Sequence, residues 1–236
     1  NMQQAGVLFS TYDFREGEET LLLPLPLYHI YAFNACLGML ARGGHTVLVP
    51  NPRDLKSLVA AFRNSGCTGF AGLNTLFVAL CNDADFRAVD FSRLKLTMSG
   101  GMALTMAAAG RWKEVTGVEI VEGYGMSETS PVISVNPVNA NRLGTIGIAV
   151  PSTEVRIVDD NGNEVAAGEP GELVVRGPQV MLGYWNQPGE TAKVLSPDGW
   201  LHTGDVAVVT PEGYLKIVDR KKDMVVVSGF NVYPNE

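Results

Sequence analysis

The sequence predicts an α/β fold, a layered α/β region followed by a smaller β-rich one. Three observations carry this. In residues 1–147, short apolar runs are spaced by amphipathic stretches of helical length, which implies parallel pairing with helices covering the sheet. Beyond Gly147 the pattern changes to short strands and glycine turns, the mark of a small β-barrel-like unit. Finally, 46% of the 236 residues are hydrophobic, enough for a sizeable core.

Residues 20–25 are predicted as a strand, and 30–42 as a helix stopped by Gly43-Gly44. Residues 46–49 follow as a strand, and 54–64 as a helix ending before Gly66. Residues 94–98, 103–116 and 118–121 repeat strand, helix, strand. In the second half, residues 153–158 alternate strictly and turn at Asp159-Asp160-Asn161-Gly162-Asn163. Residues 172–176 form another strand. Residues 203–209 and 214–218 flank Thr210-Pro211-Glu212-Gly213, a hairpin signal. The expected division is 1–147 for the layered region and 148–218 for the β-rich one.

The formal charge is −7, and the densest positive run, Arg220-Lys221-Lys222, is bracketed by Asp219 and Asp223. Without a basic stripe, a nucleic-acid partner is excluded. Cys36, Cys67 and Cys81 form no Cys-x-x-Cys pair, so neither a disulfide framework nor a zinc site is expected, and a reduced cytoplasmic setting is. The longest apolar stretch, 30–41, is too short to span a bilayer, and no signal peptide opens the chain. Asn1 opens mid-pattern and Glu236 follows directly on Asn231-Val232-Tyr233-Pro234-Asn235. A piece of a longer protein is therefore expected.

Several segments have both a chemical and an ordinary reading. Ser99-Gly100-Gly101-Met102 joins a strand to a helix. Glycines there let a ligand approach backbone and free helix-start N–H groups, or simply make a tight turn. In Glu122-Gly123-Tyr124-Gly125-Met126-Ser127-Glu128-Thr129, a tyrosine between glycines offers an open ring face to a flat base. Ser127, Glu128 and Thr129 can bond a phosphate and hold a hard cation, with Glu128 as the Mg²⁺ ligand. The same residues also suit a polar loop. Asp205 in His202-Thr203-Gly204-Asp205 can accept two ribose hydroxyls or merely start a strand. Arg220 and Lys222 lie in Asp219-Arg220-Lys221-Lys222-Asp223, which by itself is a solvated charged turn. His29, just before a helix, can orient a carboxylate or simply bond the helix start. His45 and His202 lack metal-ligand spacing with His29 or the cysteines.

Taken in order, these segments resemble the adenylate-forming superfamily, in particular the bacterial long-chain fatty-acid–CoA ligases. Residues 24–29 are similar to its Pro-Leu-x-His segment, 99–104 to its glycine-rich adenine loop, and 124–129 to its Tyr-Gly-x-Thr/Ser-Glu motif. Gly199-Trp200-Leu201-His202-Thr203-Gly204-Asp205 is similar to the ribose motif, and residues 213–234 to the fatty-acyl ligase signature. The resemblance implies the large N-terminal domain of such an enzyme, with residues 219–236 as the hinge and start of a C-terminal domain.

It also implies two steps. A fatty-acid carboxylate attacks the α-phosphate of ATP, with Mg²⁺, to give acyl-AMP and pyrophosphate, and the thiol of coenzyme A then displaces AMP. By the same resemblance Gly100, Gly101, Glu122, Gly123 and Gly125 line the nucleotide pocket, with Tyr124 against the base. Ser127 contacts the α-phosphate, Glu128 holds Mg²⁺, and Asp205 and Arg220 grip the ribose. His29 stands near the acyl carboxylate. Phe33 falls where some long-chain relatives carry a tryptophan gate to the acyl tunnel. Lys222 falls at the hinge, and Gly229 where the pantetheine arm passes. The family's lysine-ended phosphate loop and its C-terminal catalytic lysine are not among these residues, so the chain alone is expected to show little ligase activity. A non-catalytic AMP or ATP binder, or an acyl-AMP ligase with another acceptor, are the alternatives. A lipid-partitioning substrate is compatible with peripheral contact at the inner face of the membrane, and the family is compatible with an oligomer.

Overall fold

The computed structural model describes Gln4, residues 14–220 and the strand backbones at 225–227 and 230–232. Lys222 and Gly229 lie outside the described residues.

Seven strands form the first sheet, in the order β2-β1-β3-β4-β5-β6-β7. They are β1 (Thr20–Leu23), β2 (His45–Leu48), β3 (Gly69–Gly72), β4 (Leu96–Ser99), β5 (Ile120–Gly125), β6 (Val132–Val135) and β7 (Ile148–Ala149). The first five pair in parallel, while β6 and β7 add on antiparallel. β1 ends one residue before Pro24, which lacks the N–H a ladder needs.

Alternation along each strand sends its side chains to two helical layers. Leu21, Leu23 and Ala71 meet α1 (Ile30–Leu40) through Tyr31, Ala32, Ala35, Cys36 and Met39. Leu22 and Phe70 face the opposite layer, built from α2 (Leu55–Ser65), α3 (Asn74–Asn82), α4 (Ala84–Arg87) and α5 (Met106–Thr116). At its centre Trp112 is fully buried, stacked on Phe70 at 5.4 Å and edge-on to Phe77 at 5.0 Å. Its indole N–H donates to the buried Thr97 hydroxyl at 3.1 Å, so the one polar atom of the ring is satisfied.

Caps set the helix ends. Asp54 accepts from Ser57 N at 3.2 Å, and Gly66 takes the left-handed conformation at the far end. The expected helix 103–116 begins only at Met106, because Thr105 stays extended and uses its hydroxyl as the cap to Ala108 N.

The second sheet is antiparallel, in the order β11-β10-β9-β8. It comprises β8 (Glu154–Val158), β9 (Gly171–Arg176), β10 (Leu201–Val209) and β11 (Leu215–Arg220), with α6 (Pro188–Val194) between β9 and β10. Among the described residues it is open at β8 and β11. A separate hairpin pairs β12 (Val225–Val227) with β13 (Phe230–Val232). The two main sheets meet where Leu215 exchanges backbone hydrogen bonds with Ile146 and Gly147, each 2.8 Å.

Among the described residues no helix is long and apolar enough to cross a membrane. Trp112→Ala is expected to cost about 3–5 kcal/mol, seen as a lower urea midpoint with an unchanged slope.

Candidate active site

In open α/β sheets, ligands bind outside the carboxyl ends of the parallel strands. Here the loops leaving β1, β4 and β5 at that edge hold His29, Gly100-Gly101 and the 124–129 segment.

His29 caps α1, its Nδ1 accepting from Tyr31 N at 3.2 Å. In the neutral ring that leaves the proton on Nε2. The Tyr31 hydroxyl donates to Met98 O at 3.2 Å and pins the first helical turn to the end of β4. The glycine pair lies against this turn. A Cβ on Gly100 would stand 3.5 Å from Tyr31 Cζ and 3.6 Å from Gly123 O. One on Gly101, which has φ +81°, would stand 3.8 Å from His29 Cε1. His29, Gly100, Gly101 and Gly123 are therefore neighbours. Phe33 lies one turn beyond His29 with its side chain exposed.

β5 runs on to Gly125, so the first part of the expected loop is strand. Glu122 turns its buried carboxylate to Gly144 N at 3.1 Å, and burial pushes its pKa up. At Gly125 a Cβ would lie 2.0 Å from Pro131 O, so only glycine fits. A 3-10 turn, Ser127–Thr129, follows. Thr129 is fully buried, and its hydroxyl bonds Pro131 O and Met126 O while accepting from Met126 N. This corrects the reading of Thr129 as a second ligand hydroxyl, because the turn itself consumes that group. Ser127 is exposed and Glu128 partly so.

The Tyr124 ring packs between two apolar clusters, one with Leu173 and Leu215, the other with Ile133 and Leu201. Part of the ring expected to lie open between glycines is thus taken up by apolar packing, and the ring is half-buried. The Tyr124 hydroxyl donates to Asp205 Oδ2. Burial first, then the Asp205 charge, push its pKa up. Asp205 Oδ1 is 3.6 Å from Arg220 Nε, its direct partner across the β10–β11 ladder. Asp205 lies inside β10 rather than at its start, beside a register shift between His202 and Val206. Glu172 braces that shift, accepting from Gly204 N at 3.1 Å and meeting His202 Nδ1 at 3.2 Å.

Glu128 Oε1 accepts from the Tyr184 hydroxyl at 2.8 Å, which pushes the Tyr184 pKa up. Sequence reasoning missed Tyr184, and nothing in the Gly183-Tyr184-Trp185 spacing marks it as facing a carboxylate 56 residues away. Among the described residues no three acidic, histidine or cysteine side chains converge as a metal cage. A lone carboxylate suits Mg²⁺ that arrives with phosphate, since that ion is normally shared between one or two carboxylates and substrate oxygens. The three cysteines are free, and burial pushes the thiols of Cys67 and Cys81 up.

The sequence profile described as AMP-binding enzyme matches residues 1–185. The long-chain-fatty-acid–CoA ligase of Escherichia coli O157:H7 is 49% identical over 238 residues, covering 100% of this chain and 42% of that protein. Its namesake in Bacillus subtilis (strain 168) is 40% identical, covering 95% of this chain and 40% of its own length. The chain thus spans less than half the length of these relatives. Among solved structures, the anthranilate CoA ligase AuaEII in complex with anthranoyl-AMP superposes with a TM-score of 0.90 at 30% identity, over 99% of this chain and 45% of that one.

Glu122 yields a pH prediction. Its pKa is raised in the folded state, so its contribution to stability is present below the unfolded carboxylate range and lost as pH rises through the folded value. Glu122→Gln keeps an acceptor for Gly144 N. It is expected to raise the urea midpoint at about pH 7 and change it little at about pH 3.5, below both values.

Proposed function

Because the chain belongs to the AMP-binding enzyme family, we propose that it carries the nucleotide and acyl-carboxylate site of a long-chain fatty-acid–CoA ligase. The supporting observation is the gathering of His29, Gly100, Gly101, Gly123 and the 124–128 segment at one sheet edge, with Asp205 and Arg220 beside Tyr124. The 49% identity to a ligase of that name supports long-chain fatty acids as the substrate class.

In this reading a carboxylate oxygen of the fatty acid bonds to the α-phosphorus of ATP as the bond to pyrophosphate breaks. The coenzyme A sulfur then bonds to the acyl carbon, and AMP leaves. Linking a poor acylating agent to AMP supplies the leaving group. Gly100, Gly101, Gly123 and Gly125 line the nucleotide pocket with backbone, Glu122 fixes the wall behind it, and Tyr124 stands beside the base. Asp205 takes the ribose hydroxyls. A carboxylate has about four lone-pair sites, so Tyr124 and Arg220 leave room for them. Ser127 donates to the α-phosphate. Glu128 would hold Mg²⁺ arriving with the phosphates, and the ion would supply charge neutralisation there. His29 offers its Nε2–H to the acyl carboxylate, and Phe33 borders the acyl entrance. Lys222 belongs to the hinge and Gly229 to the pantetheine path.

The 236 residues contain neither the lysine-ended phosphate loop nor the second catalytic lysine of the family. Charge on the transferring phosphate is then poorly countered, so these residues alone are expected to show little or no ligase activity. The reading puts the reaction in the cytoplasm, with peripheral contact at the inner membrane face where the fatty acid partitions.

Pyrophosphate release by the gene-length protein is the test. Palmitate and ATP are expected to drive turnover, and Glu128→Gln to lower kcat on the order of 100-fold. Preference for anthranilate over palmitate would move the substrate class to aromatic acids, and no acid-dependent release would end the reading.

A further inference from the structure

The loop between β9 and α6 carries a residue that the reading above does not use. This loop is fastened to the 127–130 turn at three points. Ser130 Oγ donates to Gln179 O at 3.0 Å, Met181 N donates to Glu128 O at 2.8 Å, and the Tyr184 hydroxyl donates to Glu128 Oε1 at 2.8 Å. Its base is fixed by Gln179, which is buried and donates through Nε2 to Thr153 Oγ1 at 2.7 Å and Val132 O at 3.3 Å. Its tip is fixed by Thr191, whose hydroxyl accepts from Tyr184 N at 2.9 Å and donates to Gln187 O at 2.9 Å. Gly183 makes room for this at φ +149°, where a Cβ would stand 2.9 Å from Thr191 Cγ2. Leu182 and Trp185, on either side, point to solvent, whereas Tyr184 is 37% exposed. Of these three apolar side chains, the tyrosine alone is spent on the turn.

A phenol donating to a carboxylate is a charge-assisted bond. It restricts a side chain that would otherwise sample several rotamers. Among the described residues Glu128 Oε2 accepts no hydrogen bond. We propose that Tyr184 is a positioning residue, whose hydroxyl holds the Glu128 carboxylate by Oε1 so that Oε2 faces the divalent cation arriving with ATP. The inference rests on the assignment of Glu128 above and deepens it.

The test uses Tyr184→Phe in the gene-length protein, with Trp185→Ala as the neighbouring control and thermal melting to confirm folding. Binding of Mn²⁺ in the presence of ATP, followed by the EPR signal of free Mn²⁺, is expected to weaken about three- to tenfold. The Mg²⁺ concentration for half-maximal pyrophosphate release should rise by the same factor, with KM for palmitate unchanged. In a Glu128→Gln background the same substitution should add nothing, whereas a merely structural tyrosine would cost the same in both backgrounds. Parent-like Mn²⁺ affinity in Tyr184→Phe, an undiminished effect without Glu128, or no Mn²⁺ binding by the parent would each overturn the proposal. If the parent binds Mn²⁺·ATP in a Tyr184-dependent way yet releases no pyrophosphate with any fatty acid, the function reading fails and this inference stands.

Discussion

The contact between Gly125 and Pro131 governs the site. With a Cβ only 2.0 Å from Pro131 O, no other residue could occupy position 125. That close approach folds the chain leaving β5 back on itself. Thr129 then buries its hydroxyl in the turn and locks it. The consequences run in both directions. Upstream, Tyr124 is aimed across to the second sheet and Asp205. Downstream, Ser127 is exposed and Glu128 meets the β9–α6 loop. A short backbone approach thus distributes three chemically different side chains to three places.

Both sheets then contribute for separate physical reasons. The parallel sheet is covered on both faces, with Trp112 and its aromatic neighbours on one side and α1 on the other. Its strands are packed on both faces, and the loops at their carboxyl ends start from that packed frame. The antiparallel sheet supplies charge. Asp205 and Arg220 are ladder partners, so their spacing is fixed by strand register rather than by long side chains finding each other. Tyr124 joins the two systems, its ring in the apolar seam and its hydroxyl on the carboxylate. The buried Glu122 closes the wall by bonding Gly144 N.

Most of the periodic elements were legible, because alternation and caps are local. Residues 20–25, 54–64 and 153–158 carry their signals within a few positions. β3 was not, because Gly69-Phe70-Ala71-Gly72 is buried at every residue and shows no alternation. Its glycines look like loop, yet Gly72 is needed beside Phe70 and Phe77, whose rings would lie 2.9 Å from a Cβ. β6 beyond Pro131, buried at three of its four residues, was missed for the same reason.

For the site, the sequence by itself determined which residue types were present and in what order, from His29 and Gly100-Gly101 to Ser127, Glu128, Asp205 and Arg220. Local chemistry settles that much, because glycines, hydroxyls and carboxylates are legible one at a time. Only the tertiary structure decided which of them are free to meet a ligand. It turned Thr129 inward, set Tyr124 in an apolar seam, and brought Tyr184 to Glu128 across 56 positions of chain. The physical reason is that hydrogen-bond partners and burial depend on neighbours distant in sequence, and no spacing within the chain encodes them.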